Sequence, residues 1–302
     1  MPEGHTLHRL ARRHRTRFAG KPVSVTSPQG RFATSAEIVD GLTLRRAEAH
    51  GKHLFHHYGS DLVVHVHLGL YGKFSDVKLP VDPPRGLVRM RMVGPTHYGD
   101  LRGPTACELI TDAEAAAIHA RLGEDPLRPD ADPERAWTRI SRSRAPLATL
   151  LMDQKVIAGV GNVYRAEVLF RHGLDPLLPG RGLRREQWDA VWADLVALMR
   201  DGVRRGKIET LRPEDAPPPC GPGERCARKV YVYRRTGDPC LVCGTPVARE
   251  THLARNLFWC PSCQPVAAQK SPPPPPPKSP PPKSPPPQSP PPWSPPQSPP
   301  WS

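Results

Sequence analysis

Apolar positions recur along this chain with two different periods, and the change of period divides it. Leu7, Leu10, His14 and Phe18 return every three or four residues, with arginines on most of the remaining positions. That spacing predicts an amphipathic helix over residues 5–18, stopped by Gly20. From Pro22 to about Gly103 the runs shorten: Val23–Val25, Leu42–Leu44, His53–Tyr58 and Leu62–Leu68 are separated by Gly, Pro and Asp. Short runs between frequent turns predict a β-sandwich or barrel. Residues 1–122 therefore read as a mostly β domain with a leading helix.

From about Asp125 to Gly206 the helical period returns. Pro133–Arg142 and Pro146–Met152 predict short helices, each with proline near its start, where a missing N–H does no harm. A stretch from Val163 to His172 places Val163, Ala166, Leu169 and Phe170 at core spacing and ends at Gly173. Arg184–Arg205 turns Trp188, Val191, Trp192, Leu195, Leu198 and Met199 inward. Helices on either side of the glycine-rich turn Gly159-Val160-Gly161-Asn162 suggest a helix–turn–helix DNA module over 123–229. Its end, residues 212–229, is rich in Pro, Gly and charge, holds Cys220 and Cys226, and reads as a mobile loop with spare thiols. Residues 230–268 carry two Cys-x-x-Cys pairs. Residues 269–302 repeat Ser-Pro-Pro-Pro units with Lys278, Lys283, Trp293 and Trp301, too poor in apolar side chains to bury a core. A disordered polyproline-II tail is expected there, either a solvated extension or a ligand for a proline-recognising protein.

Composition narrows the partner. Lys and Arg number 43 against 29 Asp and Glu, a net charge of +14. Of the basic residues only Lys270, Lys278 and Lys283 lie in the tail, so the folded part is basic too. A polyanion is favoured, nucleic acid before membrane, because no apolar run reaches transmembrane length. The polar, arginine-rich start has no signal peptide's apolar core, and the cysteines do not suit a secreted disulfide framework, so a cytoplasmic protein is expected.

The strongest chemical motif is Cys240-x-x-Cys243, sixteen residues, then Cys260-x-x-Cys263. Two such knuckles place four thiolates around one structural zinc, with no ligand position open for water activation. Thr251–Trp259 would be the connecting hairpin, with Arg255 near its turn. At the other end, loss of Met1 would leave Pro2 with a free secondary amine that titrates near pH 8. Such an amine forms Schiff bases with carbonyl carbons, and Glu3 beside it could move protons. Lys52 follows Gly51 at the mouth of a strand, where a solvated edge lysine is the ordinary expectation. His65 and His67 share one strand face, more simply as polar-face or phosphate-touching residues than as a metal pair. Leu70-Tyr71 between Gly69 and Gly72 is either buried turn packing or an exposed wedge for unstacked DNA. The Gly159–Asn162 turn offers backbone N–H groups that suit a phosphate.

Together, Pro2-Glu3-Gly4, Gly51-Lys52, Gly159-Val160-Gly161-Asn162 and the ribbon Arg255-Asn256-Leu257-Phe258-Trp259-Cys260-Pro261-Ser262-Cys263-Gln264 resemble the formamidopyrimidine-DNA glycosylase / endonuclease VIII family over residues 2 to about 265. The resemblance implies an α+β protein: an N-terminal β-sandwich, a helix–two-turns–helix domain with a zinc-ribbon finger, and damaged DNA in the cleft between. It implies that Pro2 attacks C1′ of a flipped nucleotide, that Glu3 handles the protons, and that β,δ-elimination follows. Lys52, Asn162 and Arg255 match the family's phosphate-binding residues, His67 joins them, and Leu70 and Tyr71 match the void-filling loop. Pro2–Thr6 and the Leu70-Tyr71 pair look like the endonuclease VIII branch, which favours oxidised pyrimidines. The connection at 212–229 departs from the family's usual chain, in the region that shapes the lesion pocket. Two other readings are a zinc-ribbon protein that binds damaged or abasic DNA without cutting, and an adaptor that recruits repair proteins through its tail. The implied enzyme is a nucleoid-associated monomer.

Overall fold

The computed structural model describes residues 2–216 and 229–266. Its first element, α1 (Gly4–Phe18), buries Leu7, Leu10, His14 and Phe18, the four positions whose spacing marked the helix. A short pair, β1 (Lys21–Pro22) and β2 (Ser24–Thr26), leads into α2 (Ala33–Val39), and then to β3 (Thr43–His50), β4 (His53–Tyr58) and β5 (Leu62–His67). β6 (Lys73–Lys78), β7 (Val88–Val93), β8 (His97–Arg102) and β9 (Ala106–Ile110) complete the strands, followed by α3 (Asp112–Arg121). They form two antiparallel sheets, β1-β3-β4-β5-β9 and β2-β7-β8-β6.

The shared core holds Leu44, Leu54, Val64 and Val66 from the first sheet, Val25, Met90, Met92 and Leu101 from the second, and the apolar face of α1. This is the expected sandwich with a leading helix. α2 was not expected. It buries only Ala36 and Val39, too few to leave a helical period in the sequence. On the other face of the first sheet, Ala115 and Ile118 of α3 cover Phe55 and Val63. β4 is thus covered on both sides, and five of its six residues are buried.

The helical region runs through α4 (Pro133–Ser141), α5 (Leu147–Leu150), α6 (Asn162–Arg171) and α7 (Arg185–Arg205). α5 is a single turn, shorter than the helix expected through Met152; beyond it the chain continues in turns, with the Asp153 carbonyl accepting from Val156 and Ile157. α6 is buried on all sides except at Arg171, which makes it the axle of this region. Its inner side meets Trp188, Val191, Leu195 and Met199 of α7, and its outer side meets Val230, Tyr231, Val232 and Phe258. α1 packs against β3, β4 and α7, so it joins sheet to helices. Arg9 Nη1 donates to the last carbonyls of α7, Val203 and Arg204, both at 2.7 Å, where a cation meets the negative end of the helix. The ribbon is β10 (Ala248–His252) paired with β11 (Arg255–Trp259), starting three residues earlier than expected. Of the loop at 212–229, a 3₁₀ turn at Pro213–Asp215 is described. Cys220, Cys226 and the tail lie outside the described residues.

Candidate active site

The turn before α6 holds the start of the chain. Gly4 N–H donates to the Gly159 carbonyl at 2.8 Å, and Lys52 Nζ donates to the Val160 carbonyl at 2.8 Å. Glu3 accepts from Gly161 N–H at 2.9 Å, from Val163 N–H at 2.8 Å and from Tyr164 N–H at 3.4 Å. The N–H groups expected to meet a phosphate are therefore taken by the Glu3 carboxylate, an anion supplied from within the chain at the positive end of α6. The glycines are required by contact. A Cβ on Gly161 would lie 2.3 Å from Glu3 Cδ, and one on Gly4 would lie 2.8 Å from Gly159 Cα. Gln154 splints the turn from behind: its Oε1 accepts from Gly159 N–H at 3.0 Å, and its Nε2 donates to the Val160 carbonyl at 3.0 Å.

Glu3 is fully buried, and burial raises its pKa against the opposing pull of Lys52 and the three N–H groups. The same burial lowers Lys52 to about 8; Glu3's charge resists this and Arg255's adds to it. Lys52 is thus no solvated edge residue. Its neighbouring turn is fixed by Asp125, which accepts from Gly51 N–H at 2.6 Å and from His8 Nε2 at 2.7 Å.

These groups open into a cleft of about 490 Å³ whose lining includes Pro2, Glu3, Lys52, His67, Leu70, Asn162 and Arg255. The expected candidates thus converge from both sheet and helix regions, with Tyr71 beside them, 89% exposed. Leu70 is 54% exposed, which settles the Leu70-Tyr71 turn as protruding and not as buried packing. Asn162 faces the cleft, but its Nδ2 donates to the Asn256 carbonyl at 3.0 Å. His67 is half-buried, and burial together with the charges of His65 and Lys52 lowers its pKa. His65 parts company with it. It is buried, 2.8 Å from His53 and 2.8 Å from Glu108, and does not line the cleft.

Beyond the cleft, the Sγ atoms of Cys240 and Cys263 lie 3.8 Å apart and those of Cys243 and Cys260 3.5 Å apart, with all four within 4.8 Å. Zn–S bonds of about 2.3 Å in a tetrahedron separate sulfurs by about 3.8 Å, whereas a disulfide needs about 2 Å. The amides of Val242 and Cys263 donate to Cys240 and Cys260 sulfurs at 3.5 Å, as the turns of a zinc knuckle do. The four residues fit one structural zinc, with every ligand a protein thiolate.

Three family models match the chain in order: the formamidopyrimidine-DNA glycosylase N-terminal domain over residues 1–107, its H2TH domain over 122–213, and the zinc finger found in FPG and IleRS over 237–266. Endonuclease 8 1 of Mycobacterium tuberculosis is 60% identical over 269 residues, covering 87% of this chain and all of that one. The chain belongs to the formamidopyrimidine-DNA glycosylase / endonuclease VIII family. A second member, endonuclease 8 of Escherichia coli K12, is 29% identical over 275 residues, covering 87% of this chain and all of its own. Among solved structures, the Lactococcus lactis Fpg (MutM) in complex with N7-benzyl-Fapy-dG DNA shares the fold at a TM-score of 0.72. It is 20% identical and covers 88% of this chain and all of that one.

Within this family member, several cleft residues escaped the sequence reading. Gln154 is one. Arg165 is another: 1% exposed, it donates to the carbonyls of Ala148 at 3.3 Å and Asn256 at 3.1 Å, with its pKa lowered to about 10 by burial. Like Glu167 in the same helix, it is a charged residue at a buried position that hydrophobic spacing does not mark. Thr149 and His252, joined at 2.8 Å, left none, because only the fold brings α5 to the ribbon.

Proposed function

We propose that this bifunctional DNA glycosylase and AP lyase begins base excision repair at oxidised pyrimidines through a Schiff base on Pro2. The observation that carries the reading is the Glu3 carboxylate, fixed on backbone amides at the floor of the cleft, with Pro2 before it in the chain and Lys52 beside it. Once Met1 is removed, the Pro2 lone pair forms a bond to C1′, and the glycosidic C1′–N bond breaks with its electron pair leaving on the base. The Pro2 N–H proton passes to that base, which restores the lone pair on the nitrogen. Glu3, kept protonated more readily by burial, gives its proton to the ring oxygen, and the C1′–O4′ bond opens. Because proline is a secondary amine, the adduct is a cationic iminium, which acidifies the C2′ proton. Loss of that proton expels the 3′ phosphate, a second elimination expels the 5′ phosphate, and water frees Pro2.

The nucleotide must leave the stack to reach this floor. Lys52, His67, Asn162 and Arg255 hold its phosphates, and Leu70 with Tyr71 fills the space it vacates. The Asn162 amide then exchanges the Asn256 carbonyl for a phosphate oxygen. The pyrimidine preference rests on the Pro2–Thr6 start and the Leu70-Tyr71 pair. We assign residues 1–122 to the catalytic β domain, 123–229 to DNA binding, 230–268 to the zinc finger and 269–302 to a tail open to a protein partner. The enzyme acts as a monomer on the nucleoid; no helix among the described residues is long and apolar enough to cross a membrane.

Borohydride trapping tests the reading, using protein verified to begin at Pro2 and duplexes carrying an abasic site or an oxidised pyrimidine. The expected result is a covalent adduct on the peptide beginning at Pro2, and strand cleavage when borohydride is omitted. Tight binding without an adduct would leave only a damage-binding protein.

A further inference from the structure

The tip of the zinc ribbon breaks a local rule at the edge of the cleft. β10 and β11 are joined by two residues, Leu253 and Ala254, with φ of 48° and 57°. A two-residue turn with both central residues left-handed is the type I′ hairpin, whose natural occupants are Asn-Gly, Asp-Gly or Gly-Gly. Leucine and alanine are both unfavourable there, because Cβ crowds the following carbonyl. Leu253 is also 70% exposed, so it contributes no core packing in return. Its side chain lines the cleft that holds Pro2, Lys52 and Leu70.

The tip is also held firmly. His252 Nε2 lies 2.8 Å from Thr149 Oγ1 of α5, and the Asn256 carbonyl accepts from Asn162 and Arg165. A clamped, conformationally costly turn that presents a bare leucine to a DNA cleft is poorly explained by stability. Such departures collect at functional positions.

We propose that Leu253 is a second apolar contact to the substrate, packing on a sugar or base face of the DNA strand beside the flipped nucleotide, apart from the Leu70-Tyr71 loop. The assignment rests on the DNA-cleaving reading of this cleft. Arg255, across the hairpin from His252, holds a phosphate; Leu253, at the tip, covers the apolar surface next to it. DNA offers such surface wherever kinking exposes a deoxyribose or unstacks a base.

The test is the double variant Leu253→Asn/Ala254→Gly in the full chain, because it repairs the turn while deleting the contact. Zinc content should stay at one per chain and the melting temperature should equal or exceed that of the wild type. Affinity for a duplex with a tetrahydrofuran abasic analogue should nevertheless fall about tenfold, the worth of a partly buried leucine. KM on an abasic duplex should rise with kcat little changed. Leu253→Met should bind within about twofold of wild type, since it restores apolar volume. Wild-type affinity in the double variant would overturn the proposal. A lower melting temperature would overturn it as well, because the turn would then not be locally unfavourable. Failure of wild-type protein to form the Pro2 adduct would instead remove the catalytic reading, and the binding comparison would still stand.

Discussion

Glu3 and Glu167 are both fully buried, and both give their oxygens to backbone amides around α6. Glu167, in the middle of that helix, accepts from Tyr231 N–H at 2.7 Å, Val232 N–H at 3.0 Å, Tyr233 N–H at 2.8 Å and Thr210 Oγ1 at 2.5 Å. Four short contacts match the four lone-pair sites of a carboxylate. The segment before the finger is thereby fastened to the helix. Glu3 has two good contacts and a third at 3.4 Å, and its remaining surroundings are the cleft and Lys52. The same helix thus anchors one carboxylate for strength and leaves the other facing the cleft, where we propose that it reacts. The separating feature is incomplete satisfaction: burial without a full set of donors raises the Glu3 pKa and prepares it to carry a proton.

Substituting each glutamate should expose the difference most strongly. Glu3→Gln cannot donate the ring-opening proton, and single-turnover cleavage of a damaged duplex should drop about a thousandfold. Its stability should change little. The sign follows from linkage: a carboxyl whose folded pKa is raised loses stability as pH rises through the unfolded value, so at neutral pH the buried charge is already a burden. Removing the charge offsets what the new NH2 group loses, a single amide acceptor contact if it takes the place of the oxygen facing Val163 N–H. At Glu167 either oxygen replaced faces two donors. Glu167→Gln should do the reverse. Its amide group faces N–H donors it cannot accept from, which costs about 3 kcal/mol, roughly 6–12 °C in Tm at this size. Below its melting point it should still cut at near wild-type rate. A large stability loss in Glu3→Gln, measured by thermal melting, would break the distinction.

This pair also marks what could be read in the sequence. Glu3 was found because it adjoins Pro2, and the zinc cysteines because their spacing is the geometry. Sandwich and helical region followed from hydrophobic period, and the ribbon from the two cysteine pairs that bracket it. Glu167 left no trace: it occupies one buried position in a helix that is buried on nearly all sides, so no polar face set it apart. The amides before α6 were legible as an anion site, but the anion turned out to be residue 3 of the same chain, 158 positions away. Pattern reports which groups need partners; only the fold decides which partner arrives.

A smaller effect concerns Lys52, the cation that faces Glu3 in the cleft. Its charge fades as pH rises through about 8, so cleavage that depends on it should decline above that value. At one pH unit higher about a tenth of the lysine remains charged. Lys52→Arg keeps its charge throughout. The variant should cut more slowly overall, since a guanidinium does not reproduce the 2.8 Å contact with Val160, yet its alkaline limb should shift upward by more than one unit. A pH–rate profile under single-turnover conditions reads this. An unmoved limb would assign the descent to another group and remove Lys52 from the contrast between the two sites.

The smallest effect is also the cleanest probe of whether α6 keeps its two carboxylates separate. Thr210 is fully buried, and its hydroxyl is the fourth donor to Glu167. Thr210→Val preserves shape and removes that donor, leaving one oxygen of a buried anion short of a partner. The expected cost is about 1–2 kcal/mol, seen in denaturant or thermal unfolding, while Thr210→Ser should recover most of it. Cleavage by the folded fraction should not change, because Thr210 lies outside the cleft and the Glu3 amides belong to the other end of the helix. A slower reaction at unchanged stability would mean that loosening Glu167 tilts α6 and shifts Gly161 and Val163 beneath Glu3. The helix would then couple its strong anchor to its reactive one, and the completeness of donors at Glu167 would itself belong to the catalytic design.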